Sequence, residues 1–232
     1  MKRFFVSTLF VVAFVTLNAQ NIQLHYDLGK DRQMLTTTVE MFKPDNWGNT
    51  FFFIDFDYGG KAADVNGVSL AYWELAREIK LWEAPVALHV EYNGGMFRTK
   101  TFTAELNNSY LVGPSVTINN EDFSRVLTLM GMYKYIQDSE NASFQLTAVW
   151  GLHFFNRKLS FTGFVDFWKQ DNVLFDSEGN MSTGEFVLLS EPQLWYNINE
   201  QFSVGGEIEI SSNFAGNKGF MVNPTLGLKW TL

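Results

Sequence analysis

The strongest constraint in this 232-residue chain is an alternation that runs almost unbroken through residues 143–168. Every second residue gives Phe144, Leu146, Ala148, Trp150, Leu152 and Phe154, and between them lie Ser143, Gln145, Thr147, Val149, Gly151 and His153. After the tight turn Asn156-Arg157-Lys158 the pattern resumes. Leu159, Phe161, Gly163, Val165 and Phe167 fall on one side, and Ser160, Thr162, Phe164, Asp166 and Trp168 on the other. Strand side chains point alternately to opposite faces, so the stretch predicts an amphipathic hairpin. Each arm exceeds the roughly five or six residues usual for a soluble strand. One face wants hydrocarbon and the other tolerates water.

The same period recurs along the chain and predicts about twelve strands: 22–28, 35–42, 50–58, 68–80, 86–93, 108–118, 123–135, 142–154, 159–169, 185–197, 202–212 and 220–232. The last sets Phe220, Val222, Pro224, Leu226, Leu228, Trp230 and Leu232 against Met221, Asn223, Thr225, Gly227, Lys229 and Thr231. A soluble sandwich avoids so long an apolar edge because it invites aggregation, whereas a closed barrel has no edge. The connections support closure. Those at 119–122, 155–158 and 198–201 are short, while 59–67, 94–107 and 170–184 are longer and rich in Gly, Asn and Asp. Short turns alternating with longer loops, on an even strand count, predict a transmembrane antiparallel up-and-down β-barrel with both termini periplasmic. Two stretches strain the pattern. Glu74–Lys80 has helical propensity and puts Arg77 on the apolar side, and 96–106 reads equally as an ordered loop, a partial strand or a plug.

Met1-Lys2-Arg3, the apolar run 4–17 and the Leu17-Asn18-Ala19 site have the three-part form of a secretory signal. The expected division is therefore a signal peptide at 1–19 and an outer-membrane barrel at 20–232. That run is too short to span a bilayer, which takes about 20 residues. Loss of Lys2 and Arg3 would move the net charge from −8 to about −10, which argues against nucleic acid as a partner. The mean hydropathy of −0.07 is low for a membrane protein of helices, but alternation dilutes the apolar face of a barrel one for one. With no Cys there are no disulfides and no thiolate chemistry.

If the apolar rows face lipid, the opposite rows line the lumen. They carry His25, Asp27, Thr38, Glu40, Phe42, Phe51, Phe53, Asp55, Asp57, Glu74, Glu91, Phe164, Asp166, Trp168, Glu191, Trp195, Glu207 and Glu209. This lining is overwhelmingly acidic and repeatedly aromatic. Acids in a pore favour cations or neutral polar solutes, and aromatic faces stack on flat rings while carboxylates accept from hydroxyls. The proposed substrate-binding lining is Glu40, Phe53, Asp55, Glu74, Phe164, Asp166, Trp168, Glu191 and Glu207. The alternative is a sealed barrel whose interior is packed with paired charges and rings, or an outer-membrane barrel enzyme. No HExxH, GxSxG or Gly-rich phosphate loop occurs, and none of His25, His89 and His153 lies in a nucleophile motif. No catalytic residue, metal or cofactor is expected. Asp55-Phe56-Asp57 lacks the loop of oxygen ligands calcium would need.

Three stretches resemble the nucleoside-specific channel-forming family of outer-membrane proteins, the Tsx-like porins. They are Thr38-Val39-Glu40-Met41-Phe42 with Asn46-Trp47 and 51–58, then Trp73-Glu74-Leu75 through Ile79, and 159–168 with Phe161-Thr162-Gly163-Phe164. The resemblance is spread over most of the mature chain. It implies a narrow twelve-stranded monomeric barrel of a Gram-negative outer membrane that passes nucleosides by diffusion. By position, Glu40, Phe53, Glu74, Phe164 and Asp166 would line that path. The chain departs from the family in ending on Leu232 rather than Phe, and in its shorter loops, so loop contacts to a solute do not carry across. The expected partners are nucleosides or similar small polar solutes and the outer-membrane lipid.

Overall fold

A computed structural model describes residues 20–30, 32–60 and 63–232. The segment expected to be a signal peptide lies outside them. Thirteen strand segments follow in order: β1 (Gln20–Asp27), β2 (Leu35–Asp45), β3 (Gly48–Tyr58), β4 (Val68–Ile79), β5 (Val86–Arg98), β6 (Thr103–Asn119) and β7 (Arg125–Ile136), then β8 (Ser143–Phe154), β9 (Leu159–Phe175), β10 (Met181–Ser190), β11 (Gln193–Asn197), β12 (Phe202–Ser212) and β13 (Phe220–Thr231). Each pairs antiparallel with its neighbour, and β1 pairs with β13, so the sheet closes on itself. β10 and β11 occupy one place between β9 and β12, which makes the wall a barrel of twelve staves. The Leu232 N–H donates to the Gln20 carbonyl at 2.9 Å, so the first and last described residues meet at one mouth.

Burial is inverted relative to a soluble domain. On β1 the buried residues are Gln23, His25 and Asp27, while Leu24 and Tyr26, with Leu28 just beyond the strand, alternate with them exposed. The same holds at Phe144 and Leu146 on β8, and at Val222, Leu226, Leu228 and Trp230 on β13. Water would not leave such rows bare, but hydrocarbon covers them, and a closed ladder satisfies every backbone group within it. Tyr92, Tyr110 and Tyr135 sit ring beside ring near one mouth, with centroids 5.3 and 6.3 Å apart. Phe202 stacks on Trp230 near the other. Aromatic belts at both edges of an apolar band mark a membrane-spanning wall.

The wall keeps the sequence reading at the strained stretch 74–80 and differs from it in three places. β4 is a strand despite its helix-favouring residues, because its inner and outer faces each find a neighbour in the ladder. Arg77 does point outward, but it sits beside the β2–β3 turn, where both its terminal nitrogens hold Asp45 at 2.7 and 2.8 Å. The expected loops 94–107 and 170–184 are instead prolonged hairpins. β5 runs on to Arg98 against β6, and β9 to Phe175 against β10. Met96 pairs with Glu105 and Ala71, so residues 96–106 are wall, not plug.

The third difference concerns the expected strand 185–197, which breaks at Glu191-Pro192. Proline has no N–H to give the ladder. The facing residue, Gly163, has φ 152°, and a Cβ there would lie 2.5 Å from the Glu191 carbonyl oxygen. Glycine is what lets the two staves meet at the break.

Candidate lumenal site

Strand register sets which side chains share the interior. Thr36, Thr38 and Glu40 stand opposite Asp57, Asp55 and Phe53. Those in turn stand opposite Leu70, Tyr72 and Glu74 on β4, and Glu74 opposite Asn93 on β5. On the far side Gln145, Thr147 and Val149 face Trp168, Asp166 and Phe164, and Gln193 faces Glu207. The register puts eight of the nine residues named from the sequence on this one face, and the ninth, Glu191, lies in the break between β10 and β11 among the charges of Glu207, Asp55 and Glu209. They fall into two groups that the sequence did not separate.

In the first group, Glu74, Glu91, Asp166 and Lys134 are close enough to interact electrostatically. The Tyr72 hydroxyl donates to Glu74 at 2.6 Å. The Lys134 ammonium donates to Gln145 Oε1 at 2.8 Å and lies 4.5 Å above the Trp168 ring. Gln145 donates to Thr147, whose hydroxyl donates to Asp166. His89 links Glu78 and Glu91 at 2.8 Å on each ring nitrogen, and Ser115 donates to Glu78. A neutral imidazole donates from one nitrogen only, so a ring held between two carboxylate oxygens requires a shared extra proton.

The second group gathers Asp55, Glu191, Glu207 and Glu209 near Arg32 of the β1–β2 loop. Arg32 pairs with Asp27 at 2.7 Å and with Glu209, and Asn223 donates to Glu209 at 3.0 Å. Thr38 donates to Asp55 at 2.5 Å, and Gln193 to Glu207 at 2.7 Å. The Trp195 indole N–H donates to Gln193, and Lys229 covers the Trp195 ring at 4.1 Å.

Two expectations change on these contacts. The lining is not uniformly acidic, because Lys134, Lys229 and Arg32 point inward as well. Trp168 is 7 % exposed, with its N–H on Gln170, Lys134 over its face and Phe214 at its edge, so it braces the wall and offers no free ring to the lumen. Sequence parity could have found Lys134 and Tyr72, which alternate in step with Met132 and Glu74. Nothing in the sequence marks Arg32, which enters from a loop. Outside the spanning wall the charge pattern is ordinary: in the β6–β7 turn, Ser124 donors hold the Asp122 carboxyl below its usual range.

The other two histidines are held by neutral groups. His153 Nδ1 lies 2.9 Å from Ser160 Oγ, which also accepts from Asn197, and His25 is tied to Thr225 and Gln23. Among the described residues no carboxylate hydrogen-bonds to either ring to orient it as a base, and no group of acids and histidines converges tightly enough to hold a metal ion.

Residues 19–232 match the family described as "Domain of unknown function (DUF5020)". No curated protein matches the chain. Among solved structures it is similar to the NanC porin, at 10% identity and a TM-score of 0.58, covering 92% of this chain and 100% of that one. The KdgM porin in complex with disordered oligogalacturonate aligns at 8% identity and a TM-score of 0.49, over 92% of this chain and 99% of the other. At such identities the likeness is one of fold.

Proposed function

We propose that the chain, which belongs to the DUF5020 family, is an outer-membrane channel for passive diffusion of small polar solutes, neutral or cationic in preference to anionic. One observation carries this reading. Asp55, Glu74, Asp166, Glu191 and Glu207 lie mid-wall, encircled by the barrel, yet each is only half-buried, so water-sized space runs beside them. A sealed and packed interior would leave them without that surface. Lumenal acids outnumber Lys134, Lys229 and Arg32, which gives the path a negative field and repels anions. The fold shared with the NanC porin supports the same reading, and with it a Gram-negative outer membrane as the location. Both chain ends would face the periplasm. The closed ladder offers no strand edge to a second copy, which favours a monomer.

Nucleosides are the finer candidate. Phe53 and Phe164 project inward, with Phe51 and Tyr72 at centroid distances of 6.0 and 5.9 Å from Phe53. A base would step along these faces while ribose hydroxyls donate to Glu40, Glu74 and Asp166, each contact weak enough to release. Planar-bilayer recording tests the channel: discrete conductance with a reversal potential favouring K⁺ over Cl⁻ is expected, and a folded, heat-modifiable barrel that conducts nothing overturns it. Liposome swelling tests the solute. Swelling should be faster with nucleosides than with sugars of equal size and slower for Phe164→Ala, and equal rates for all would end the nucleoside reading.

A further inference from the structure

The β12–β13 hairpin is longer than its pairing requires. Ser212 faces Phe220 across the ladder, and Asn213 and Gly219 follow with left-handed backbones at φ 54° and 85°. The Asn213 N–H donates to the Gly219 carbonyl at 3.1 Å, and the Gly219 N–H to Asn213 Oδ1 at 3.0 Å. An Asn-Gly pair with both φ angles positive is by itself a tight hairpin turn. The hairpin could therefore close without residues 214–218.

Those residues cross to another stave. Phe175, at the far end of β9, donates its N–H to the Gly216 carbonyl at 2.8 Å and accepts from the Lys218 N–H at 2.9 Å. One edge of β9 is held there by β10, at Met181, while the ladder between β9 and β8 ends at Trp168. The loop takes the edge that β8 leaves bare. To reach it from β12 it must pass over β10 and β9, and it passes on the lumenal side. Phe214 meets the edge of the Trp168 ring at a centroid distance of 6.1 Å, and Asn213 Nδ2 donates to the Phe186 carbonyl at 3.2 Å. Trp168 stands on the inner face opposite Val187, and Leu174 continues its row opposite Ser182. At Gly184 on the same face, Leu174 Cδ1 and Asn213 Nδ2 both lie within 4 Å of where a Cβ would stand. Leu174 and Val187 are only 2% and 1% exposed, whereas Val173, Phe175 and Phe186 on the outer face are bare. Apolar residues at a water-filled mouth stay dry only under a cover, and here the loop is that cover. It holds with Ala215 at φ 50°, a backbone that L-residues rarely adopt and that persists where the surroundings fix it.

We propose that residues 213–219 form a fixed sill on the inner wall of the mouth opposite the chain ends, and that this sill sets the largest solute the channel admits. The proposal rests on the channel reading above and names the element that selects its solutes by size. The loop is rooted in β12 and β13 and clipped to β9, so it spans the wall and narrows the opening from one side. It cannot swing away without breaking both hydrogen bonds to Phe175, parting Phe214 from Trp168 and wetting Leu174 and Val187. Its exposed residues, Ala215, Asn217 and Lys218, are what an entering solute meets.

The test deletes residues 214–218 from the full barrel, so that Asn213-Gly219 closes the hairpin, and reads K⁺ conductance in planar bilayers with neutral polyethylene glycols of graded size. Loss of the sill should raise the single-channel conductance and let larger polymers enter and depress it. Phe214→Ala should shift both in the same direction by less. A folded, heat-modifiable barrel without 214–218 whose conductance and size cut-off match the unaltered chain ends the sill assignment and leaves the channel standing. An unaltered barrel with no conductance ends the channel reading itself. Should the shortened barrel fail to fold, Phe175→Cys with Asn217→Cys, at facing positions of a chain that has no other cysteine, reads the same assignment. With the disulfide formed, this barrel should conduct as the unaltered chain does. A current that oxidation changes and reduction restores would mean that the loop leaves the wall during conduction, and would overturn the sill.

Discussion

Two sectors of the wall, β7–β9 and β10–β12, face the same lumen and handle charge in opposite ways. In β7–β9 the ladder is regular, and its polar groups form a connected chain: Lys134 to Gln145, Gln145 to Thr147, Thr147 to Asp166, with Lys134 capping Trp168. In β10–β12 the strand is broken at Pro192, and Glu191 is left without a donor. A regular ladder places inner residues in facing pairs, so each polar group finds a partner two residues along or directly across. A break shifts one residue out of that pairing. The first sector spends its charges on holding the wall, and the second leaves one carboxylate without a protein donor.

Four substitutions test that contrast, from the largest expected effect to the smallest. Gly163→Ala puts a methyl against the Glu191 carbonyl and the Pro192 Cα at a φ that L-residues rarely adopt. It should lower barrel stability by about 2–4 kcal/mol, read as a shift in the urea midpoint of heat-modifiable mobility in lipid vesicles. An unchanged midpoint would mean that the break is not built around this glycine. Lys134→Met removes the cation from among Glu74, Glu91 and Asp166 and uncovers Trp168. The same assay should show a loss of about 2 kcal/mol, and the reversal potential should move further toward K⁺. If selectivity stays fixed while stability falls, Lys134 is structural alone.

Glu191→Gln should behave in the reverse sense. Because no protein donor is lost, stability should stay within about 0.5 kcal/mol, while cation preference falls. A large stability loss would place Glu191 in the wall network with the others. Smallest of all is Asp45→Asn at the β2–β3 turn, outside the spanning wall. Hydrogen bonds from Arg77 and the Trp47 N–H hold the Asp45 carboxyl at about 2, below its usual 3.8. A depressed folded-state value stabilises above pH 3.8 and is lost as pH falls through about 2. The difference between the two chains should therefore be small at neutral pH and vanish near pH 2. A gap that widens in acid would assign the pair the wrong sign.

Much of this was legible in advance because a barrel wall repeats one instruction. Parity alone put Glu40, Asp55, Glu74, Phe164, Asp166 and Glu207 on the inner face, since a stave that slipped by one residue would expose its carboxylates to hydrocarbon. The break at residues 191–192 had a visible signal, a proline inside a strand, that the alternation on either side outweighed. Gly, Asn and Asp at 94–107 and 170–184 suggest loops, and only the pairing partner shows that both stretches continue as strand.

Alternation determined by itself that this chain closes into a membrane-spanning barrel and which residues face its interior, because side-chain direction in a strand depends on nothing but residue parity. It could not determine which interior groups meet. Partnership across a lumen is set by stagger between staves distant in sequence and by loops such as the one carrying Arg32. Only the tertiary structure decided that Lys134 neutralises one acidic group, that Trp168 is covered, and that Glu191 alone among the described lumenal acids is left open.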